Sequence, residues 1–444
     1  MTLRPYQAEA VQAVYDHLRC RDDNPCVVIP TAGGKTPIMA TICRDAVQLW
    51  DGRVLILAHV KELLEQAVDK LHAAAPDLWN QIGIYSAGLK SRDTDKAIIV
   101  AGIQSVYRKA RELGRFDLIL VDEAHMLPPD GEGMYRQFLR EAREINPHVR
   151  LVGLTATPYR MATGTICSPP PEGLLNRICY EIGVRELIVQ GYLCPLKAKS
   201  GKRKADFQNL HLRGGEFIPG EVEALMDDDA LVRSACYEIV ELTKDRHSVL
   251  IFAAGVQHAK HVQRVFQEMG HECGFVCGDT PGIFRDEILK RFQAGGSGGK
   301  YLVNVNVLTT GFDAPGIDCV VLLRPTNSPG LYYQMVGRGF RLHPRKQDCL
   351  VLDYGGNVLR HGPVDALQIK ERTIGDGTTS GGPAKECPQC QALIHASYTT
   401  CPECGHVFPP PDKARHDASA HAGGVISGEI TEIEYDVKAV YYSA

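Results

Sequence analysis

Two carboxylates, Asp122 and Glu123, close an apolar run at 118–121 and are followed by Ala124 and His125. Upstream, Pro30-Thr31-Ala32-Gly33-Gly34-Lys35-Thr36 follows a second apolar run, 26–29. Each run reads as a buried strand that delivers its polar tail to a sheet edge. The chemistry they define together is that of a nucleotide site. Backbone N–H groups of a glycine turn face phosphate oxygens, Lys35 neutralises the β/γ-phosphates, and Thr36 and Asp122 share Mg²⁺. Glu123 is the expected base or orienter of an attacking water. The expected reaction is ATP hydrolysis. The loop departs from G-x-x-x-x-G-K-T at one place, where Ile29 holds the first glycine position.

Three further constellations carry chemistry. Thr155-Ala156-Thr157-Pro158 follows the apolar run 151–154, and its hydroxyls can hydrogen-bond the nearby carboxylate and His125. In Gln334-Met335-Val336-Gly337-Arg338-Gly339-Phe340-Arg341 two arginines lie three apart, on one face if the segment is helical. Guanidinium groups bind phosphate in a bidentate fashion and stabilise charge during phosphoryl transfer; on an ordinary helix they form a solvated face. Finally, Cys387-x-x-Cys390 and Cys401-x-x-Cys404 have the spacing of two zinc knuckles around one structural Zn²⁺.

These residues need a scaffold. Strands are expected at 26–29, 54–58, 97–101, 118–121 and 151–154, with helices between them such as 36–49 and 61–74. The alternation predicts a parallel sheet covered on both faces, with the phosphate motifs at the carboxyl ends of its strands. A second alternation, with strands at 249–253, 274–276, 301–307, 320–323 and 349–352, predicts another α/β domain. The expected boundaries are 1–165 for the first domain, 166–205 for a connector and 206–365 for the second domain. A linker follows at 366–386, a zinc ribbon at 387–408, and a linker with a strand-like tail at 409–444. Lys197, Lys199, Lys202, Arg203 and Lys204 make the connector basic; a solvated linker and a phosphate-contacting strip are both open.

Composition bounds the partners. The chain has 444 residues and a formal net charge of −4, so nucleic acid must be met by a local groove and not by a global basic field. Its 15 cysteines fall mostly in apolar segments, as reduced core thiols would. The first twenty residues read as an amphipathic helix and no long apolar run occurs, so a cytoplasmic protein without a membrane partner is expected.

On these motifs the chain resembles the superfamily 2 helicases and translocases, specifically the DEAH-containing ones, over most of residues 1–355. Leu3-Arg4-Pro5-Tyr6-Gln7 resembles their adenine-reading segment, with Arg4 and Gln7 near the base. Thr31, Gly33, Gly34, Lys35 and Thr36 correspond to the phosphate loop. Ala58-His59-Val60-Lys61-Glu62-Leu63 and Gly102-Ile103-Gln104-Ser105 resemble backbone-gripping motifs Ia and Ib. Thr155 and Thr157, with His125, resemble the coupling motif III, and Ile251-Phe252-Ala253 is similar to motif IV. Leu308-Thr309-Thr310-Gly311-Phe312-Asp313 looks like motif V, which adds Gly311 and Asp313 to the nucleotide side. Gln334 to Arg341 looks like motif VI, with Arg338 and Arg341 as finger residues. The phrases Leu57 to Leu63, Gly191-Tyr192-Leu193, Cys277 to Gly282 and Leu302 to Val305 are similar to bacterial RadD-like DNA repair helicases and their phage relatives.

The resemblance implies an α/β chain with two tandem RecA-like parallel-sheet domains followed by a small four-cysteine zinc ribbon. It implies ATP, Mg²⁺ and Zn²⁺ as cofactors and a monomer. Single-stranded or branched DNA is the implied track, with RNA open, and a single-stranded-DNA-binding protein is a partner by resemblance alone. Two other readings stand beside it: a translocase on duplex DNA or RNA without a strand-specific role, and a zinc-ribbon scaffold whose ATPase is vestigial.

Overall fold

The computed structural model describes residues 2–58, 61–128, 133–160, 164–170, 173–296, 299–309, 312–366 and 384–409. In the first lobe, eight strands form one sheet. Across it the order is Arg177–Glu181, Pro25–Val28, Arg150–Thr155, Leu118–Val121, Val54–Ala58, Ile98–Gly102, Ile82–Ser86 and Ser91–Arg92. All neighbours pair parallel except the short last strand. The central strands are buried at every position, which is why they read as unbroken apolar runs without alternation.

The second lobe has six strands in the order Leu196–Ser200, Cys349–Asp353, Cys319–Leu323, Val249–Ala253, Tyr301–Asn304 and Cys273–Val276, all parallel. Its helices have local start signals. Asp228 caps Asp229–Leu242 through Leu231 N–H, and Ser328 caps Pro329–Val336 through Leu331 N–H, with proline in the first turn. One contiguous apolar cluster crosses between the lobes through Ile182, Val184, Leu187, Tyr333 and Phe340.

The structure corrects several expectations. Segment 166–205 is not a free connector: it gives Arg177–Glu181 to the edge of the first sheet and Leu196–Ser200 to the edge of the second. Neither strand is apolar enough to announce itself, because each has one partner strand and a partly exposed face. Two of its five basic side chains are paired. Lys197 pairs with Asp348 at 3.3 Å and Glu403 at 3.7 Å, and Lys204 pairs with Glu386. Glu403 and Glu386 belong to the four-cysteine segment, so these charges dock the ribbon on the second lobe. Ser200 N–H donates to Gln391 C=O at 2.9 Å in the same contact.

The strand expected over 301–307 stops at Asn304. There the Asn304 amide donates to Ile251 C=O at 3.0 Å and its oxygen accepts Leu308 N–H at 3.4 Å, which turns the chain. The linker within 367–383, Gly311 of motif V, His59 and Val60 of motif Ia, and the strand-like tail after 410 lie outside the described residues. Among the described residues, no helix is long and apolar enough to cross a membrane.

Candidate nucleotide cleft and zinc ribbon

Strand Pro25–Val28 runs into the phosphate loop, which turns into helix Lys35–Gln48. The turn requires backbone in the left-handed region at two places, Ala32 with φ 65° and Gly34 with φ 85°. Gly34 adopts this without strain, and a Cβ there would also meet the Gln7 amide at 2.3 Å. The loop is pinned from behind by the first helix: Tyr6 hydroxyl donates to Gly33 C=O at 2.6 Å and Gln7 Nε2 to the same oxygen at 3.2 Å. Arg4 lies with its guanidinium 4.9 Å from the Tyr192 ring centre. Gln7 thus sits directly on the loop, and Arg4 reaches it through the Tyr6 hydroxyl at 3.2 Å.

Strand Leu118–Val121 carries Asp122 and Glu123 to the same edge. Lys35 Nζ meets Glu123 Oε1 at 2.8 Å. Burial works against the Lys35 ammonium, but Glu123 and Asp122 outweigh it and its pKa is raised. Burial likewise opposes the Glu123 carboxylate, and Lys35 and His125 outweigh it and hold its pKa down. Both groups are thus charged and compensated, and a polyphosphate would compete with Glu123 for Lys35. Glu123 itself has φ 50°, an uncommon backbone state for a glutamate, of the kind that clusters at functional sites. Thr36 lies in the first turn of helix Lys35–Gln48, and its hydroxyl and the Asp122 carboxylate are both oxygen donors of the type Mg²⁺ takes.

A polar relay leaves this site for the second lobe. Gln334 Nε2 lies 3.2 Å from His125 Nε2, and His125 Nδ1 lies 3.0 Å from Thr155 Oγ1. Thr155 hydroxyl donates to Thr157 C=O and accepts Thr157 N–H, both at 3.1 Å. The residues expected to couple the lobes are therefore joined in one chain of hydrogen bonds.

The arginines differ from expectation in their support. Helix Pro329–Val336 ends at Gly337; Arg338 is in a short 3₁₀ turn and Arg341 follows in extended backbone, so the two do not share a helix face. Glycine at 337 lets this turn approach the phosphate loop closely, because a Cβ there would lie 3.1 Å from Thr31. Arg338 donates to Phe312 C=O at 2.8 Å and to Gln334 C=O at 3.3 Å. Burial, and then repulsion from Arg341, bring its pKa down to about 10, while Glu123 and Asp313 favour its charge. Arg338 thus faces the carboxylate cluster across the cleft. Arg341 Nη1 pairs instead with Asp313 Oδ1 at 3.1 Å, tying motif VI to motif V.

Sequence reasoning missed the aromatic members. Tyr6 and Tyr192 lie 5.1 Å apart, and Tyr333 is buried against the Thr31 backbone. Tyr6 stands between two expected residues, Arg4 and Gln7, which was the available signal; Tyr333 carries none beyond its place next to Gln334.

In the ribbon, all four sulfur atoms of Cys387, Cys390, Cys401 and Cys404 lie within 4.8 Å of one another. Cys387–Cys404 and Cys390–Cys401 are 3.6 and 3.7 Å apart. A tetrahedron with Zn–S bonds of about 2.3 Å has edges of about 3.8 Å, so the cluster fits Zn²⁺. The knuckles match: Gln391 N–H returns to Cys387 C=O and Gly405 N–H to Cys401 C=O, both at 2.9 Å, with φ 57° and 75°. His395 Nδ1 is engaged with Ser397 Oγ at 2.7 Å, consistent with a shell of four thiolates.

Comparison with known proteins agrees with this geometry. Residues 1–160 match the family described as type III restriction enzyme, res subunit, and residues 231–343 match the helicase conserved C-terminal domain. The chain is 29% identical over 368 residues to IRC3 of Saccharomyces cerevisiae, whose name describes an ATP-dependent helicase. That alignment covers 80% of this chain and 51% of IRC3, so the chain spans about half the length of that relative. It is 26% identical to the DNA 3'-5' translocase XPB2 of Sulfurisphaera tokodaii, over 76% of this chain and 78% of XPB2. A solved fragment of a type I restriction enzyme HsdR subunit from Vibrio vulnificus shares the fold, with a TM-score of 0.61 and 22% identity over 86% of this chain and 67% of the fragment. The two family models thus fall one on each lobe, in this order along the chain.

Proposed function

We propose that the chain is a nucleic-acid-stimulated ATPase that moves along DNA in repair or recombination. The observation that carries this is the line of polar contacts from Lys35–Glu123, through His125 Nδ1 at 3.5 Å from Glu123 Oε2, to Gln334, which joins the phosphate loop to the second lobe. Glu123, held ionised, orients water; Lys35 shifts from Glu123 to phosphate when ATP enters; Arg338 supplies positive charge from the opposite lobe. Thr36 and Asp122 would hold Mg²⁺, which neutralises phosphate charge. Turnover changes what Lys35 and Arg338 face, and the His125–Gln334 bond transmits that change to lobe spacing.

DNA is preferred on the RadD-like resemblance, and the name of XPB2 as a DNA translocase supports it. The track is single-stranded or branched DNA, the chain works as a monomer in the cytoplasm, and a single-stranded-DNA-binding protein is its partner. The ribbon holds a structural Zn²⁺ and stabilises the second lobe's edge. The test is ATP hydrolysis with Mg²⁺, alone and with single-stranded DNA, duplex DNA and RNA, beside Glu123→Gln. Stimulation by DNA and a loss of turnover of about a hundredfold or more in the variant are expected. Equal turnover by wild type and variant, or a response to RNA alone, refutes the proposal.

A further inference from the structure

The carboxyl edge of the second sheet carries a row of cations. Strand Leu196–Ser200 pairs parallel with Cys349–Asp353, which pairs parallel with Cys319–Leu323; Ser200 stands opposite Asp353 and Asp353 opposite Leu322. The chain therefore leaves these three strands side by side. Lys202 and Arg203 follow the first strand and are exposed, Arg360 follows the second within Asn357–His361, and Arg324 directly follows the third. Among the described residues none of these four has a carboxylate in ion-pair distance, whereas Lys204 turns away to Glu386 of the ribbon. Arg324 Nη1 donates to the amide oxygen of Asn306, which is exposed with φ 59° just past strand Tyr301–Asn304. Arg360 donates to Thr326 C=O at 3.3 Å and Gly355 C=O at 3.4 Å, with its guanidinium 5.2 Å from the Phe217 ring centre and 5.6 Å from that of Phe207.

Both arginines are half-buried, and burial lowers their pKa; Glu216 favours the charge of both and Asp353 that of Arg360. Those acids are already engaged by neutral donors. Glu216 accepts Thr326 hydroxyl at 2.6 Å and Asn327 N–H at 2.8 Å, and Asp353 accepts Val358 N–H at 2.7 Å and Gly355 N–H at 3.1 Å. Guanidinium groups desolvated without a carboxylate partner match phosphate oxygens. Three adjacent strands span about 10 Å, the axial length of about three base pairs. The rings beside the row, Phe207 and Phe217, hold Arg360 and pack with Met226 and Ala254, so they are not free to stack a base. Single-strand sites join charge to open aromatic faces; charge alone fits paired DNA, whose phosphates lie outside its stacked bases.

We infer that Lys202, Arg203, Arg324 and Arg360 form a phosphate stripe that holds the duplex arm of a forked or branched DNA. This rests on the DNA-translocase reading above. The stripe lies to one side of strands Val249–Ala253 and Tyr301–Asn304, which lead to the motif IV and motif V segments, and Arg324 meets that side through Asn306. Its other end reaches the ribbon, where Lys199 bridges to Ala392. The basic segment at 197–204 is thus divided between ribbon docking and DNA.

Fluorescence anisotropy with a single strand, a blunt duplex and a fork, each at several salt concentrations, tests this without turnover. Lys202→Gln combined with Arg203→Gln should weaken duplex and fork about tenfold and lower the salt slope for each by about 1.8, with single-strand affinity within about twofold. Arg324→Gln should lower the duplex slope by about 0.9. Unchanged duplex affinity in the double variant, or an equal loss on the single strand, overturns the stripe. Folded wild type that binds none of the three DNAs refutes the translocase reading itself, a result distinct from failure of the stripe.

Discussion

Mild acid should destabilise the second lobe through His258, and the size of the effect follows from three buried groups. His258 is 1% exposed and its Nδ1 accepts Ala254 N–H at 3.2 Å, so the ring is neutral. Burial, with His261 adding and Asp227 opposing, lowers its pKa to about 4. His361 is also 1% exposed and lowered to about 4, mainly by burial; its Nε2 donates to Thr326 C=O at 2.9 Å and its buried Nδ1 has no hydrogen-bond partner. A histidine whose folded pKa is depressed contributes stability that is complete above its unfolded value and lost as pH falls toward the folded one. Asp353 acts in the opposite sense. Burial raises it to about 6, so the folded state binds its proton first and gains stability as pH falls through that value. From about pH 7.5 to about pH 5, each histidine costs about 2 kcal/mol and Asp353 offsets about 1.4 kcal/mol, for a net loss of about 2.5 kcal/mol. His258→Asn keeps an acceptor near Nδ1 and removes one titration, so its loss over the same range should be about 0.5 kcal/mol. Urea unfolding at both pH values, with hydrogen exchange of the Val249–Ala253 amides to localise it, measures the difference. A drop in His258→Asn as large as in the wild type refutes the argument, whatever the variant's stability at neutral pH.

Two other perturbations probe the cleft and the ribbon. Gln334→Ala removes the amide that meets His125 across the cleft, and should cut DNA-stimulated turnover by about tenfold while basal turnover and ATP KM stay within about twofold. Parallel loss of basal and stimulated rates in a steady-state assay would mean that Gln334 serves the chemistry and not the coupling. Cys390→Ser leaves three thiolates and should reduce zinc from one ion per chain to a small fraction by elemental analysis. It should also open 384–409 to protease while the lobes stay resistant; full zinc occupancy in the variant contradicts the four-sulfur site.

How much of this was legible follows from the range of the interactions. The phosphate loop, the Asp122–Glu123 pair and the central strands could be read because each is written in a few consecutive residues. Their backbone state and burial follow from local sterics and unbroken apolar runs. The four cysteines were legible for the same reason, since each knuckle closes on itself. The edge strands Arg177–Glu181 and Leu196–Ser200 were not, because they owe their conformation to one neighbour each and look like polar loop in isolation. The close approach of Gly337 to Thr31 was hidden too, since the two are some three hundred residues apart in the chain. Lys197 and Lys204 were ambiguous until their partners Glu403 and Glu386 were known, since charge alone does not tell a docking surface from a phosphate track.

The segment between those two edge strands bears on how the motor works. It leaves one sheet at Glu181 and enters the other at Leu196, so any swing of the lobes must be absorbed within it. The apolar part of that stretch is not slack: Val184, Leu187, Leu193 and Cys194 are buried in the cluster shared by both lobes. Gly183 and Gly191 flank the short helix of this stretch, and an added Cβ at either would meet nothing within 4 Å. Tyr192 follows Gly191 directly, and Cys194 then fixes the chain to Phe340. The chain between the two sheets is therefore bonded at its far end to the segment that carries Arg338 and Arg341.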